Sequence, residues 1–288
     1  MFSFPVEKDI LLKEYTTFKI GGKADYFYAA KSYTSLIKAM EEAKQNNLPF
    51  FVLGNGSNIL VSDAGFRGLV IKMEINELDK NGLEITAGAG VTIGSLLNFC
   101  KESNLSGLEF LSGIPATVGG AIWANIGAAA NSIGNFVHEI LILDKNNEVK
   151  KISGAKAQFK YRDSIFKRQS FVILEVVFLL AAEKREIIEK KMKEFAQKKI
   201  KEQDTQNPSA GSVFKNPPGH KAWELIDKAG LRGFKIGNAQ VSEKHANFIV
   251  NTGQATASDV VMLISLIKQK VRDNLGVQLM EEIKYIGF

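Results

Sequence analysis

The chain has 288 residues, 45% of them hydrophobic and 24% charged, with a formal net charge of +6. Two or three domains with sizeable cores are expected at that length. The single cysteine, Cys100, excludes an intramolecular disulfide or a Cys-rich metal centre within one chain, and His138, His220 and His245 lack metal-ligand spacing, so no metal is expected.

The N-terminal stretch through Asp9 lacks a basic region followed by an apolar core, and no apolar run reaches membrane-spanning length. The expected compartment is the cytoplasm, with no membrane partner. Ser35–Asn46 has helical spacing through Leu36, Ile37, Met40 and Ala43. The runs 49–53 and 59–61 have strand character and flank a turn, Gly54-Asn55-Gly56-Ser57-Asn58. Strands are predicted at 69–73 and 83–87, then a helix over 93–103. The segment from Gly113 to Gly127 is rich in small residues and suits neither a long helix nor an ordinary strand.

Strands follow at 139–143 and 171–180, the second apolar nearly throughout and so central in a sheet. Residues 183–203 form an amphipathic helix with Ile188, Met192, Phe195 and Ile200 near one stripe; its densest charge run, Lys184–Lys201, interleaves Glu with Lys like a solvated face. No long basic block exists, so nucleic acid is not an expected partner. A short helix is predicted over 222–229, a strand over 247–251, a helix over 258–274 and a closing strand over 277–286. In the last helix Val260, Leu263, Ile264, Ile267 and Val271 face inward, and Gly276 ends it.

Four features carry chemistry. A turn such as Gly54–Asn58, with two glycines, can aim N–H groups at a phosphate, although it matches neither a Walker loop nor a dinucleotide fingerprint. A second glycine-rich backbone, with Gly113, Gly119, Gly120 and Gly127, suits a large phosphate-bearing cofactor lying along both; tight turns needed only for folding are the alternative. Arg162 can hold a carboxylate bidentately or form a surface ion pair. The loop from Pro208 to Gly219, with three prolines and two glycines, presents the Ser212 hydroxyl, the Lys215 ammonium and the Asn216 amide. Such a set can hold a charged substrate and deliver a proton. On the closing strand only one of Glu281 and Glu282 can face a given site, and alternation does not choose between them.

Taken together, Thr16–Gly22, Gly54–Asn58, Gly113–Gly120, Tyr161-Arg162-Asp163, Gly211–Pro217, Ser242–Phe248 and Glu281–Gly287 closely resemble, in order and across nearly the whole chain, the UDP-N-acetylenolpyruvoylglucosamine reductases. The short passage between Leu180 and Pro208 is similar to the branch without an extra substrate-capping loop. The resemblance implies an α+β fold. Two N-terminal FAD-binding subdomains of vanillyl-alcohol-oxidase type, 1–72 and 73–182, lead through a connecting helix, 183–206, to a C-terminal α+β substrate domain, 207–288. It implies reduction of an enolpyruvyl ether on a UDP-sugar to a lactyl ether in peptidoglycan precursor synthesis, with NADPH as hydride donor and FAD as carrier. Some proteins of the wider flavin group attach FAD to His or Cys; with no His before residue 138, non-covalent FAD is expected.

Residue by residue, the resemblance gives Arg162 and Glu282 the stabilisation of an enolate and Ser212 the donation of a proton. Gly54, Asn55, Gly56, Ser57, Asn58, Gly113, Thr117, Val118, Gly119, Gly120 and Ala121 would contact FAD. Tyr161, Lys215 and Asn216 would contact substrate, with loop scaffolding the alternative for Lys215 and Asn216. One departure is Ile126, where some relatives carry Ala. A monomer is expected. A flavin oxidase of the same cofactor architecture, or a non-catalytic basic nucleotide-binding protein, would not need Arg162, Ser212 and Glu282 together.

Overall fold

The computed structural model describes residues 2–128 and 131–288. Strands β1 (Glu7–Leu11) and β2 (Lys23–Ala30) pair antiparallel, with Glu7 opposite Phe27. Helix α1 (Tyr33–Gln45) starts at a capping box in which the Ser32 and Ser35 hydroxyls each accept the other residue's N–H, and Leu36, Ala39, Met40 and Ala43 are its buried stripe. Strands β3 (Phe50–Leu53), β4 (Ile59–Val61) and β5 (Phe66–Met73) follow, and one sheet has the order β1-β2-β5-β3. Next come the hairpin β6 (Leu78–Asn81) and β7 (Glu84–Gly88), helix α2 (Ile93–Glu102), and the short helix α3 (Val118–Ala124), which starts at Thr117.

Strands β8 (Val137–Leu143), β9 (Val149–Ser153) and β10 (Val172–Leu179) complete an antiparallel sheet of order β9-β8-β10-β7-β6. β10 is its central strand, as its apolar run predicts, and Ile173, Leu174, Val176 and Phe178 are buried. Helix α4 (Arg185–Glu202) leads to β11 (Ser209–Ser212), α5 (Ala222–Lys228), β12 (Lys235–Ile236), β13 (Ala239–Val241) and β14 (Phe248–Asn251), which form a sheet of order β11-β14-β13-β12. Helix α6 (Ala257–Leu275) begins at a Thr256–Asp259 capping box and ends at Gly276, whose φ of +68° suits a residue without Cβ. The last strand, β15 (Lys284–Ile286), runs parallel to β4.

The chain divides into two compact units. The first comprises Met1–Pro5, Tyr28–Asn55 and Val70–Lys198; the second comprises Val6–Phe27, Gly56–Leu69 and Lys199–Phe288. In the second, all five residues expected to face inward on α6 are buried in one cluster with Phe18, Leu60, Phe214 and Ile249. Segments distant in sequence thus share a core.

Two expectations change, and one element was not foreseen. The closing strand is short: only 284–286 pair as a strand, preceded by a single bridge between Phe214 and Glu281. Of the α4 stripe only Ile188 is buried, and Ile200 is 58% exposed. Helical spacing does not show whether another element packs on that face, so it overstates the buried face of such a helix. Strand β6, with Asp79, Lys80 and Asn81 exposed, carries no apolar run to announce it.

His245 links this core to pH. Its Nδ1 is buried and, among the described residues, has no hydrogen-bond partner; the ring lies 4.9 Å from that of Phe248 and 6.3 Å from that of Trp223. Burial is the main cause that depresses its pKa; the Arg232 charge adds to this, while its own backbone and Glu202 oppose it. Below about pH 6.5 the unfolded chain takes up a proton that the folded imidazole refuses, so stability falls on acidification from there towards the lowered folded value. His245→Phe, which keeps a ring in place, is expected to lose less of its urea midpoint than the wild type between pH 7 and pH 5. Equal losses in the two proteins would refute this role.

Candidate functional site

In the first unit the two glycine-rich segments meet. A Cβ on Gly54 would lie 2.4 Å from Thr117 Oγ1, so the backbone after β3 approaches the start of α3 only because residue 54 has no side chain. Beside it the Asn55 side-chain amide donates to the Pro115 carbonyl at 2.7 Å. The Lys72 ammonium, on β5, donates to the Gly54 carbonyl at 2.5 Å. Gly113 has a φ of +76°.

Helix α3 spends its first N–H groups within the protein. Val118 N–H donates to Val91 O at 2.8 Å, Gly119 N–H to Ala89 O at 2.9 Å, and Gly120 N–H to Thr117 Oγ1 at 3.4 Å. A Cβ on Gly119 would sit 3.0 Å from that of Ala89. This turn therefore offers a ligand a surface bare of side chains rather than donors, and Ala121, next along the helix, is buried. Ile126 is fixed by its backbone, its N–H on Ala121 O at 3.0 Å and its carbonyl accepting Ile133 N–H at 2.9 Å.

In the second unit, Gly56 has φ +61°, and a Cβ there would lie 2.2 Å from Tyr15 O. Asn58 bonds to the C-terminal segment: its side-chain amide donates to Glu282 O at 3.3 Å and its carbonyl accepts Lys284 N–H at 2.9 Å. Among the described residues, the N–H groups of Asn55, Gly56 and Ser57 donate to no protein acceptor.

These features fit a flavin that carries a diphosphate. Among the described residues the partly buried Lys72 ammonium is in no ion pair, and its pKa is lowered by burial, with only Glu74 opposing. An anion beside it would offset that desolvation. In the same unit the Asn55 N–H is a donor of the type that holds phosphate oxygens. The Cys100 thiol is buried and pushed up to about 12, first by burial and then by Glu109, so it is poorly suited to attach a flavin.

The polar loop of the second unit is held by backbone bonds. Gly211 has φ +75° and open space where a Cβ would be. Ser212 ends β11, opposite Phe248 of β14. Asn247, buried, clamps the next two residues: its carbonyl accepts Val213 N–H at 2.8 Å, its Oδ1 accepts Phe214 N–H at 2.9 Å, and its Nδ2 donates to Phe214 O at 2.8 Å. On the other side Glu282 N–H donates to Val213 O at 2.7 Å and Lys215 N–H to Met280 O at 2.9 Å. Ser212 and Glu282 are thus carried by adjoining segments. The Glu281 carboxylate is 2.8 Å from the Lys268 ammonium on α6. Asn216 Oδ1 accepts Ala222 N–H at 2.9 Å and so helps to start α5; this oxygen acts as scaffold.

Arg162 belongs to the first unit. Lys160 and Asp163 exchange two backbone hydrogen bonds of 3.0 Å, leaving Tyr161 and Arg162 as a two-residue turn. Arg162 has φ +52°, where glycine is usual; holding a residue with a Cβ there costs about 1–3 kcal/mol. Tyr161 is 59% exposed, and the guanidinium lies 5.9 Å from its ring centroid. Asp163 is ion-paired to Arg168, whose other nitrogen donates to Gln158 Oε1 at 3.0 Å. Lys72 and Asn247 were not singled out from sequence. Asn247 lies within the Ser242–Phe248 motif, but nothing local shows a carboxamide bonding a strand 33 residues away. Lys72, a cation in an apolar strand, was the one available signal. Among the described residues no cluster of three or more His, Cys, Asp or Glu could hold a metal ion, and no helix is long and apolar enough to cross a membrane.

Comparison with known proteins shows the family and the fold. Residues 203–286 match the family model of the UDP-N-acetylenolpyruvoylglucosamine reductase C-terminal domain, and residues 24–153 match an FAD binding domain. The chain is 43% identical to the UDP-N-acetylenolpyruvoylglucosamine reductase of Caldanaerobacter subterraneus subsp. tengcongensis, over 96% of the chain and 92% of that protein. It is 39% identical to the reductase of Listeria monocytogenes, over 96% of the chain and 93% of the relative. The crystal structure of the Thermus caldophilus reductase superposes with a TM-score of 0.85 at 34% identity, covering 98% of this chain and 99% of that one.

The contact at Gly54 makes a direct prediction. A methyl at residue 54 forces Thr117 or the β3 backbone to shift. Gly54→Ala is expected to weaken FAD binding about tenfold or more, equivalent to about 1.4 kcal/mol, in a titration that follows flavin fluorescence quenching. Unchanged affinity would show that this approach does not shape the cofactor site.

Proposed function

Because the chain belongs to the UDP-N-acetylenolpyruvoylglucosamine reductase family, we propose that Arg162, Ser212 and Glu282 carry its NADPH-dependent reduction of the enolpyruvyl UDP-sugar to UDP-N-acetylmuramate. Bound FAD, recharged by NADPH, supplies the hydride that adds to the terminal carbon of the enolpyruvyl double bond. Negative charge then develops on the ether-bearing carbon and spreads into the carboxylate. The Arg162 guanidinium takes this carboxylate and favours the enolate over the ground state, the condition for lowering a barrier. Glu282 orients that interaction or, when protonated, donates to it. Ser212 gives its hydroxyl proton to the ether-bearing carbon. A neutral serine is a weak acid, so it acts through placement beside a strongly basic carbon.

The observation that carries this reading is the double clamp on Val213, between Asn247 and Glu282 N–H. It supports a fixed hydroxyl at Ser212 and a fixed backbone at Glu282. The oxidase alternative has no use for that arrangement. On the same reading residues 1–72 and 73–182 hold the flavin, and 207–288, reached through 183–206, hold the UDP-sugar. Tyr161, Lys215 and the Asn216 amide nitrogen meet the substrate's anionic groups. The enzyme acts as a cytoplasmic monomer that engages neither nucleic acid nor membrane.

Ser212→Ala is expected to retain FAD and to be reduced by NADPH at the wild-type rate. Reoxidation by the enolpyruvyl UDP-sugar should slow by roughly 10²–10⁴, or about 3–5 kcal/mol. Anaerobic stopped-flow spectra of the flavin band separate the two halves. Wild-type reoxidation in this variant would remove Ser212 as the proton donor.

A further inference from the structure

The Arg162 turn is tied at several points to the helix that starts at the second glycine-rich segment. α3 packs against the turn of 3₁₀ helix at Ile165–Lys167. Ser164 Oγ donates to the Trp123 carbonyl at 2.7 Å, and the Asn125 side-chain amide donates to the Lys160 carbonyl at 2.7 Å. Asn125 is itself the left-handed C-cap of α3, with φ +45°. These bonds fix the base of the turn. They do not reach Arg162, whose backbone stands at φ +52°.

One bond does. Lys167 Nζ donates to the Arg162 carbonyl at 2.8 Å, and the same ammonium lies 4.5 Å from the centre of the Trp123 ring. A lysine side chain is flexible on its own, but here a hydrogen bond at one side and a cation–π contact at the other restrain its head. Holding the carbonyl restrains the peptide that follows Arg162. With the turn closed on Lys160 and Asp163, this restrains the direction of its Cα–Cβ bond. A residue relaxing out of the left-handed region would redirect that bond and carry the guanidinium elsewhere.

We propose that Lys167 is a positioning residue for the reaction: it braces Arg162 against Trp123 on α3, so that the guanidinium is set relative to the helix that follows the cofactor segment. The proposal rests on the carboxylate-binding role given to Arg162 above. Lys167 touches no reacting atom in it and acts entirely through Arg162.

The test is a double-mutant cycle on the FAD-loaded enzyme with Lys167→Met and Arg162→Lys. Three quantities are measured: flavin reduction by NADPH, flavin reoxidation by the enolpyruvyl UDP-sugar, and calorimetric affinity of the oxidised enzyme for UDP-N-acetylmuramate. Lys167→Met is expected to slow reoxidation 10–100-fold and weaken product binding several-fold, leaving reduction by NADPH within twofold of wild type. In the Arg162→Lys background the same substitution should cost less than threefold. Lys167→Arg, which keeps a donor and a cation for Trp123, should recover most of the rate.

Wild-type reoxidation in Lys167→Met, with Arg162→Lys slow, overturns the proposal and leaves the role of Arg162 standing. So does a Lys167→Met penalty that multiplies in full on Arg162→Lys. Wild-type reoxidation and product binding in Arg162→Lys overturns the role of Arg162 and this proposal with it. If Lys167→Met does not retain flavin, Lys167→Gln, with a neutral donor of similar reach, is judged by the same measurements.

Discussion

The approach of Gly54 to Thr117 is the constraint that brings the two glycine-rich segments of the first unit together. Two chain segments some sixty residues apart can touch there because one has no side chain and the other ends in a short hydroxyl. Thr117 is also the cap of α3, so its hydroxyl fixes the first turn of that helix while limiting the space at Gly54. Lys72 then pins the Gly54 carbonyl from β5. In a trans peptide the carbonyl and the next N–H point in opposite directions, so holding this carbonyl also aims the Asn55 N–H away from Lys72. Sheet, helix cap and loop orientation follow from one close contact.

In the second unit a carboxamide does the comparable work. Asn247 satisfies backbone groups on both sides of a residue and is itself buried, so the strand leaving Ser212 has little freedom. The short β15 and the bridge at Glu281 belong to the same economy. The closing segment pairs with the loop after Ser212 through a few bonds and then joins β4, so it need not be a long strand. Apolar alternation over 277–286 reflects residues such as Leu279, Ile283 and Ile286 burying into cores, which a segment with little ladder can also do.

What the sequence reveals depends on how far the decisive contact reaches. The inward face of helix α6 was legible because its buried stripe and the Gly276 that ends it are local to one helix. β10 was legible because a central strand is apolar on both faces. Glycine at 113 and 119 pointed to close backbone approach, which is explicit at 119; Gly54 was legible only as part of a turn, and its approach to Thr117 was not. The partners were not legible. Nothing beside Gly54 names Thr117, nothing beside Phe214 names Asn247, and nothing in α3 announces that Val91 and Ala89 take its first N–H groups. Such pairings are decided by topology, which local spacing does not encode. For α4, helical spacing of apolar residues showed a stripe, but only Ile188 of it is buried, because spacing does not show whether another element packs on that face.

The side chains proposed to react share a manner of support. Ser212 follows a glycine in the left-handed region and precedes a clamped dipeptide; Arg162 is itself left-handed within a closed turn. In each case the strain or freedom of one backbone position is opposed by hydrogen bonds to the adjoining one. A weak acid such as a serine hydroxyl gains little from chemistry alone, and much from being held where the basic carbon forms, since orientation removes an entropic share of the barrier. A guanidinium likewise distinguishes enolate from ground state only if it does not follow the charge as it moves. On the proposed reading, hydrogen-bonded backbone at Val213 and Arg162 serves to place the Ser212 and Arg162 side chains. Asn247, which bonds backbone, serves that placement through its contacts with Val213 and Phe214.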